Sequence, residues 1–222
     1  MATNFPGSLD SFTNPTSSST LDSPSHAAQH SNVNDAVEAL QAKVGVDGSA
    51  VTTSLDYKVA NQGLTLVKSQ TIGSGVSSVT VTDAFSSTFE NYRVVYWVTS
   101  SANTPVEMKI SGETSATGYD SKLFYSAVYA AAGWTEVLAA AFSAWRVGYT
   151  NAGATASGSV EMYRPYANLR ARFSSQYSSY VAGVANGATV ATSGTQSTGF
   201  TLQPGTGTFS GGQIRVYGYN DG

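Results

Sequence analysis

The sequence predicts a mainly β fold: an extended N-terminal arm, one short α-helix, then a C-terminal antiparallel β-sandwich or jelly-roll-like domain. Three observations carry that prediction. Residues 1–30 hold almost no apolar content, and Ser31 to Asp47 holds the one convincing helical pattern. From Leu64 onward Ser, Thr, Gly, Val and Tyr dominate, and apolar residues tend to recur at every second position.

The arm, residues 1–30, contains Pro6, Pro15 and Pro24 and the run FTNPTSSSTLDSPSHAAQH. Such a segment cannot bury enough apolar surface to offset its ordering entropy, so it is expected to be extended. Its apolar members Phe5, Leu9, Phe12 and Leu21 are widely spaced. That spacing suits anchors fitting separate pockets on a partner, and equally a tail that binds nothing.

The helix is placed at 31–48. Ser31 or Asn32 is the expected N-cap, and Asp35 and Glu38 lie in the first turns, where negative charge suits the dipole. Gly45 and the Asp47-Gly48 pair end it after Lys43. Val33, Val37, Leu40 and Val44 share one face as alternating d and a heptad positions. So short a helix is marginal alone, and its stripe needs a partner. The partner is either the chain's own β-domain or, the preferred reading, an oligomerisation seam between identical chains. Val at a with Leu at one d favours a dimer over a trimer.

A linker spans 49–63 and the β-domain 64–222. In NYRVVYWVTS, Tyr92, Val94, Tyr96 and Val98 share one face, with Arg93, Val95 and Trp97 on the other. Both faces are largely apolar, as expected of an inner strand. PVEMKISG alternates Val106, Met108 and Ile110 against Glu107 and Lys109. SVEMYRP and NLRARFSS form an expected hairpin, with Val160, Met162, Leu169, Ala171 and Phe173 inward and Arg170 and Arg172 outward. GGQIRVYGY turns Ile214 and Val216 inward. Lys122 to Val147, alanine-rich yet broken by Gly133 and several aromatics, is read as two strands rather than a helix.

Composition excludes several function classes. There is no cysteine, so neither disulfides nor thiolate metal sites exist. The net charge is −3 and only 11% of residues are charged, against about 25% in ordinary domains. Residues 61–222 carry eight acids and nine bases without a basic stripe, so nucleic-acid binding is not expected. No run approaches the roughly 20 apolar residues of a membrane span, and the first ten residues lack secretory-signal character; no membrane insertion is expected.

Chemistry is sparse. Both histidines, His26 and His30, lie in the arm, so no Ser-His-Asp nucleophile can be built within one chain's β-domain. Four residues apart, they would share a helix face and could gather a metal around a symmetry axis. The preferred reading is a turn cap or partner contact, with no metal and no cofactor. Candidate paired carboxylates for glycoside hydrolysis are Glu107, Glu113, Asp120, Glu136 and Glu161, each with an ordinary surface explanation. No catalytic residue is assigned. Aromatics beside turn signals, namely Tyr119, Trp134, Tyr166, Tyr177 and Tyr180, are candidates for stacking on a receptor or glycan.

The N-terminal residues Phe5-Pro6-Gly7-Ser8-Leu9-Asp10, His26, His30 and Asn34 through Asp47 resemble a segment that recurs at the start of tailed-bacteriophage virion proteins of tail-fibre, minor-tail and head-fibre type. The closing Gly212 to Tyr219 is similar to the last strand of many phage β-domains. In that family the N-terminal part joins the particle, the helix helps trimerise, and the C-terminal domain is displayed. The resemblance therefore implies docking through Phe5, Pro6, Leu9, Phe12, His26 and His30, and a homotrimer held at Val33, Val37, Leu40 and Val44. Partners would be further virion proteins of the tail, baseplate or capsid, with a host-surface glycan beyond; the location is the virion, assembled in host cytoplasm. The expected function is a non-enzymatic fibre-like appendage that contacts the host. A capsid decoration or cement protein is the alternative, and a polysaccharide-degrading spike is less favoured.

Overall fold

Alternation of apolar and small polar residues builds strands that bury one face each, and a computed structural model shows how they assemble. It describes residues 14, 16–20, 22, 25–113, 117–127, 135–167, 169–179, 181–189 and 196–220. The chain divides into two compact units between Gln62 and Gly63.

The first unit holds α1 (His26–Val44) and α2 (Leu55–Ala60). α1 starts five residues before the expected position. Ala27, Ala28 and Gln29 are strong helix formers, and Ser25, not Ser31 or Asn32, is the cap, its hydroxyl accepting from the Ala28 amide. Gly45 ends α1 at φ 87°, its amide donating to the Gln41 carbonyl at 2.8 Å. A Cβ there would stand 2.9 Å from Ser54 Cβ, so both conformation and space require glycine. The expected linker contains α2, capped by Ser54, which accepts from the Tyr57 amide and donates to the Val51 carbonyl.

The second unit is a pair of antiparallel sheets. Among the described residues the strands are β1 (Leu64–Ile72), β2 (Val79–Val81), β3 (Asn91–Ser100), β4 (Thr104–Ile110), β5 (Tyr119–Ala127) and β6 (Thr135–Phe142). They continue with β7 (Trp145–Thr150), β8 (Thr155–Tyr163), β9 (Arg172–Ser178), β10 (Val181–Thr189), β11 (Phe200–Pro204) and β12 (Phe209–Tyr219). One sheet has eight strands in the order β1-β12-β3-β8-β9-β10-β5-β6, the other four in the order β2-β11-β4-β7. The sandwich expectation holds. The segment 122–147 contributes to three strands rather than two.

The core lies between the sheets. Tyr92, Val94, Tyr96 and Val98 of β3, Val106, Met108 and Ile110 of β4, Val160 and Met162 of β8, and Ile214 and Val216 of β12 are all buried, as their alternation predicts. Leu169 departs from its expected inward position and is exposed, because it lies in the β8–β9 connection, outside the pleat. Trp145 packs edge-on against Tyr119, ring centroids 5.2 Å apart, and tilted against Phe173 at 4.9 Å.

One inner row has a pattern of its own. Across the eight-stranded sheet Tyr96 pairs with Gly158, Gly158 with Tyr177, Tyr177 with Gly183, and Gly183 with Tyr125. Tyr96 leans over Gly158 and Tyr177 over Gly183, where the missing side chain makes the room. Gly148 of the facing sheet receives the Tyr96 hydroxyl, which donates to the Val147 carbonyl at 3.3 Å.

Candidate functional site

Two surfaces stand out, one in each unit. In the first unit burial is inverted. Every valine and leucine between residues 26 and 62 is exposed, from 44% at Val44 to 76% at Val46, whereas Asn32 and Ser54 are buried. The predicted seam residues Val33, Val37, Leu40 and Val44 are therefore presented together, and Val46, Val51, Leu55 and Val59 extend the apolar surface. At the start of α1, His26 and His30 are both exposed and face one another, with Nε2 atoms 3.0 Å apart and ring centroids 4.5 Å apart. The other docking candidates, Phe5, Pro6, Leu9 and Phe12, lie outside the described residues.

In the second unit the aromatic candidates divide. Tyr119 and Tyr177 are core residues, which corrects their expected exposure. The Tyr119 hydroxyl accepts from the Ile110 amide and donates to the Ile110 carbonyl. Tyr177 pairs with Gly158 and Gly183, and its hydroxyl has no hydrogen-bond partner among the described residues. Turn signals locate chain reversals, but strand parity decides which way a ring points, and both residues fall in the inward phase. Tyr166 is half-buried against the core. Trp134 and Tyr180 lie outside the described residues.

Burial sets the hydroxyls' chemistry. Desolvation pushes Tyr96, Tyr119 and Tyr177 well above the usual tyrosine range, since a phenolate there would be nearly dry. Tyr149, stacked on Tyr125 at 5.5 Å, is raised for the same reason.

The exposed aromatics are instead on the outer face of the eight-stranded sheet. Only one face of β3 is covered, which corrects its reading as apolar-packed on both sides: Trp97 and Val95 are exposed. Trp97 aligns with Ser157 and Ser178, and Val95 with Ser159, Gln176 and Val184. The short serines leave a shallow depression of about 500 Å³ beside the Trp97 ring. Next to it Asn91, Tyr163, Arg172, Ser174 and Asn186 line a second depression of about 580 Å³. Tyr163 is 45% exposed, with its hydroxyl 3.1 Å from Ser174 Oγ. The face of the four-stranded sheet differs, carrying Thr80, Thr201, Gln203, Glu107 and Lys109 in the manner of an ordinary solvated surface.

Part of the charge on the larger face is paired. Arg93 donates to Glu161, and that bond raises the guanidinium further. Tyr219 donates to the other Glu161 oxygen; its hydroxyl is raised by burial first and by Glu161 second. Glu136 pairs with Lys122 at 2.8 Å. The carboxylates are spread out: Glu161 and Glu136 are four strands apart, roughly 19 Å at sheet spacing. Asp120 lies on β5 four residues, about 13 Å, from Phe124, the partner of Glu136. Glu107 belongs to the other sheet. The separations of Glu161, Glu136 and Asp120 exceed the ~5–10 Å of a hydrolytic pair, whereas Glu113 packs its carboxyl against Gly118, two residues before Asp120.

The described residues present an exposed apolar stripe in one unit and a hydroxyl- and carboxamide-lined aromatic face in the other. A scan against protein-family models found no match, and comparison with curated sequences and with solved structures found no significant similarity.

Proposed function

We propose that the chain is a non-enzymatic structural virion protein: a homotrimeric, fibre-like appendage of a tailed bacteriophage that docks through its N-terminal arm and displays its β-domain to the host surface. The inverted burial of residues 26–62 carries this reading. A unit with every valine and leucine exposed is completed by other copies of itself, whereas the β-domain has a full core of its own. The resemblance of the first sixty residues to virion N-terminal segments supports the particle location and the three-fold state.

Host contact is assigned to the outer face of the eight-stranded sheet. The exposed rings of Trp97 and Tyr163 can stack on the C–H faces of sugars, while Gln176, Asn186, Arg172 and the serines hydrogen-bond hydroxyls. A polyol suits a face on which Arg93 and Lys122 are already paired and rings, hydroxyls and carboxamides line the depressions.

Deletion of residues 1–24 tests the docking role, because it leaves α1 and its Ser25 cap in place. The truncated protein should keep its oligomeric state and lose incorporation into particles. Normal incorporation would overturn the docking role, and binding of the full chain to tail-less heads alone would favour capsid decoration over a tail fibre.

A further inference from the structure

The start of α1 at His26 lengthens the seam. Counting back from Val44, positions 44, 40, 37, 33, 30 and 26 alternate by four and three without a break, so His30 and His26 occupy the next a and d layers. Any association that buries Val33 and Val37 carries both imidazoles to the axis. The flanking e and g positions are Ala27, Gln29, Asn34, Ala36 and Gln41, all uncharged, with Lys43 only at the far end. Asp35 and Glu38 fall at f and b, away from the seam. Copies of α1 can thus approach without like-charge repulsion near the histidines.

The pair geometry adds a second, independent observation. Metal–imidazole bonds are about 2.1 Å, so two of them hold nitrogens about 3.0 Å apart at the right angle of an octahedral site and about 3.4 Å apart at the tetrahedral angle zinc prefers. The Nε2 atoms of His26 and His30 already have that 3.0 Å separation. A cation gains both Nε2 lone pairs once each ring carries its proton on Nδ1. With imidazole the only ligand type, the ion is a borderline divalent transition metal such as Zn²⁺ or Ni²⁺, not Ca²⁺ or Mg²⁺. The helix N-terminus disfavours added positive charge. Two ligands from one chain do not outweigh this as readily as four or more from several.

We propose that His26 and His30 form a divalent transition-metal site, bidentate in each chain and completed when α1 helices of identical chains meet along the apolar seam; the inference rests on the assembly reading above. The test uses the full chain without an oligohistidine tag, stripped with chelator and titrated with Zn²⁺ by calorimetry, with sedimentation in parallel. Expected is one ion per assembled particle, no competition from Mg²⁺, and affinity lowered roughly a hundredfold in His26→Ala and in His30→Ala through loss of the second ligand. Both histidines are exposed, so circular dichroism should show these variants folded. Zn²⁺ bound no more tightly by wild type than by the double variant overturns the site. If that occurs in a protein that still sediments as an oligomer, the seam survives. A monomer binding one ion per chain keeps the clamp but refutes its closure and the assembly reading.

Discussion

Gly158→Ala is the sharpest test of how the β-domain core is built. A Cβ at this position would stand 2.6 Å from both Cζ and Oη of Tyr96 and 2.8 Å from its Cε1. Ordinary contact begins near 3.4 Å, so the ring must recede by close to 1 Å. It has nowhere to go, because Tyr96 is buried and its hydroxyl already sits against Gly148 and the Val147 carbonyl of the facing sheet. Overpacking costs about 1–3 kcal/mol, and loss of the hydroxyl bond about 1 kcal/mol more. Reduced unfolded-state entropy returns roughly 0.5–1 kcal/mol. The net is about 2 kcal/mol, a fall in Tm of about 4–8 °C for a domain of this size. Thermal unfolding followed by circular dichroism measures it. Gly73→Ala is the control, since its Cβ would meet only Val76 Cγ1 at 3.7 Å, and it should leave Tm unchanged or slightly raised. In a Tyr96→Leu background the Gly158→Ala penalty should shrink. A Gly158→Ala protein as stable as Gly73→Ala would refute the tyrosine-over-glycine account.

Further predictions follow from the same buried row and from the seam. Tyr177→Phe removes a buried hydroxyl without a partner among the described residues and should stabilise the domain by about 1 kcal/mol, whereas Tyr119→Phe, which breaks two bonds to Ile110, should cost about 1–2 kcal/mol in chemical denaturation. Tyr96, Tyr119 and Tyr177 titrate higher folded than unfolded, so their contribution is complete below the unfolded value near 10 and lost as pH rises toward the folded values. Stability should fall by about 3 kcal/mol between pH 10 and 11 for the three together, the unfolded tyrosines being half ionised at pH 10, and a flat profile over that range would contradict this. Trp97→Ala should abolish glycan binding on arrays of host-envelope polysaccharide while leaving Tm within about 1 °C, since the ring is a surface group.

How much was legible in the sequence depended on whether the signal was local. Period-two alternation marked the buried faces of β3, β4, β8 and β12, because parity alone decides which side of a pleat is covered. The inward positions of Tyr119 and Tyr177 were readable by the same rule: Tyr177 is in phase with Ala171 and Phe173, and the nearby turn signals masked it. Sheet order was not legible. β1 pairs with β12 through Thr65 and Gly218, and no local pattern encodes a partner so distant along the chain. The outer face was missed because Trp97 and Val95 read as buried apolar residues, and only the positions of the sheets show that the facing sheet leaves them exposed. At α1, the apolar stripe was evident from spacing, but the expected cap at Ser31 concealed that its 4-3 spacing runs back through both histidines.

The mass of the intact chain in solution tests the central claim most directly. Residues 26–62 expose every valine and leucine they contain, and the account requires other copies to cover them. Sedimentation equilibrium on the full chain should give three times its 23.0 kDa mass. Val37→Asp with Leu40→Asp should reduce it to the single-chain mass without unfolding the β-domain. A wild-type protein that sediments as a 23.0 kDa monomer at micromolar concentration, with its apolar stripe still open to solvent, would contradict the account.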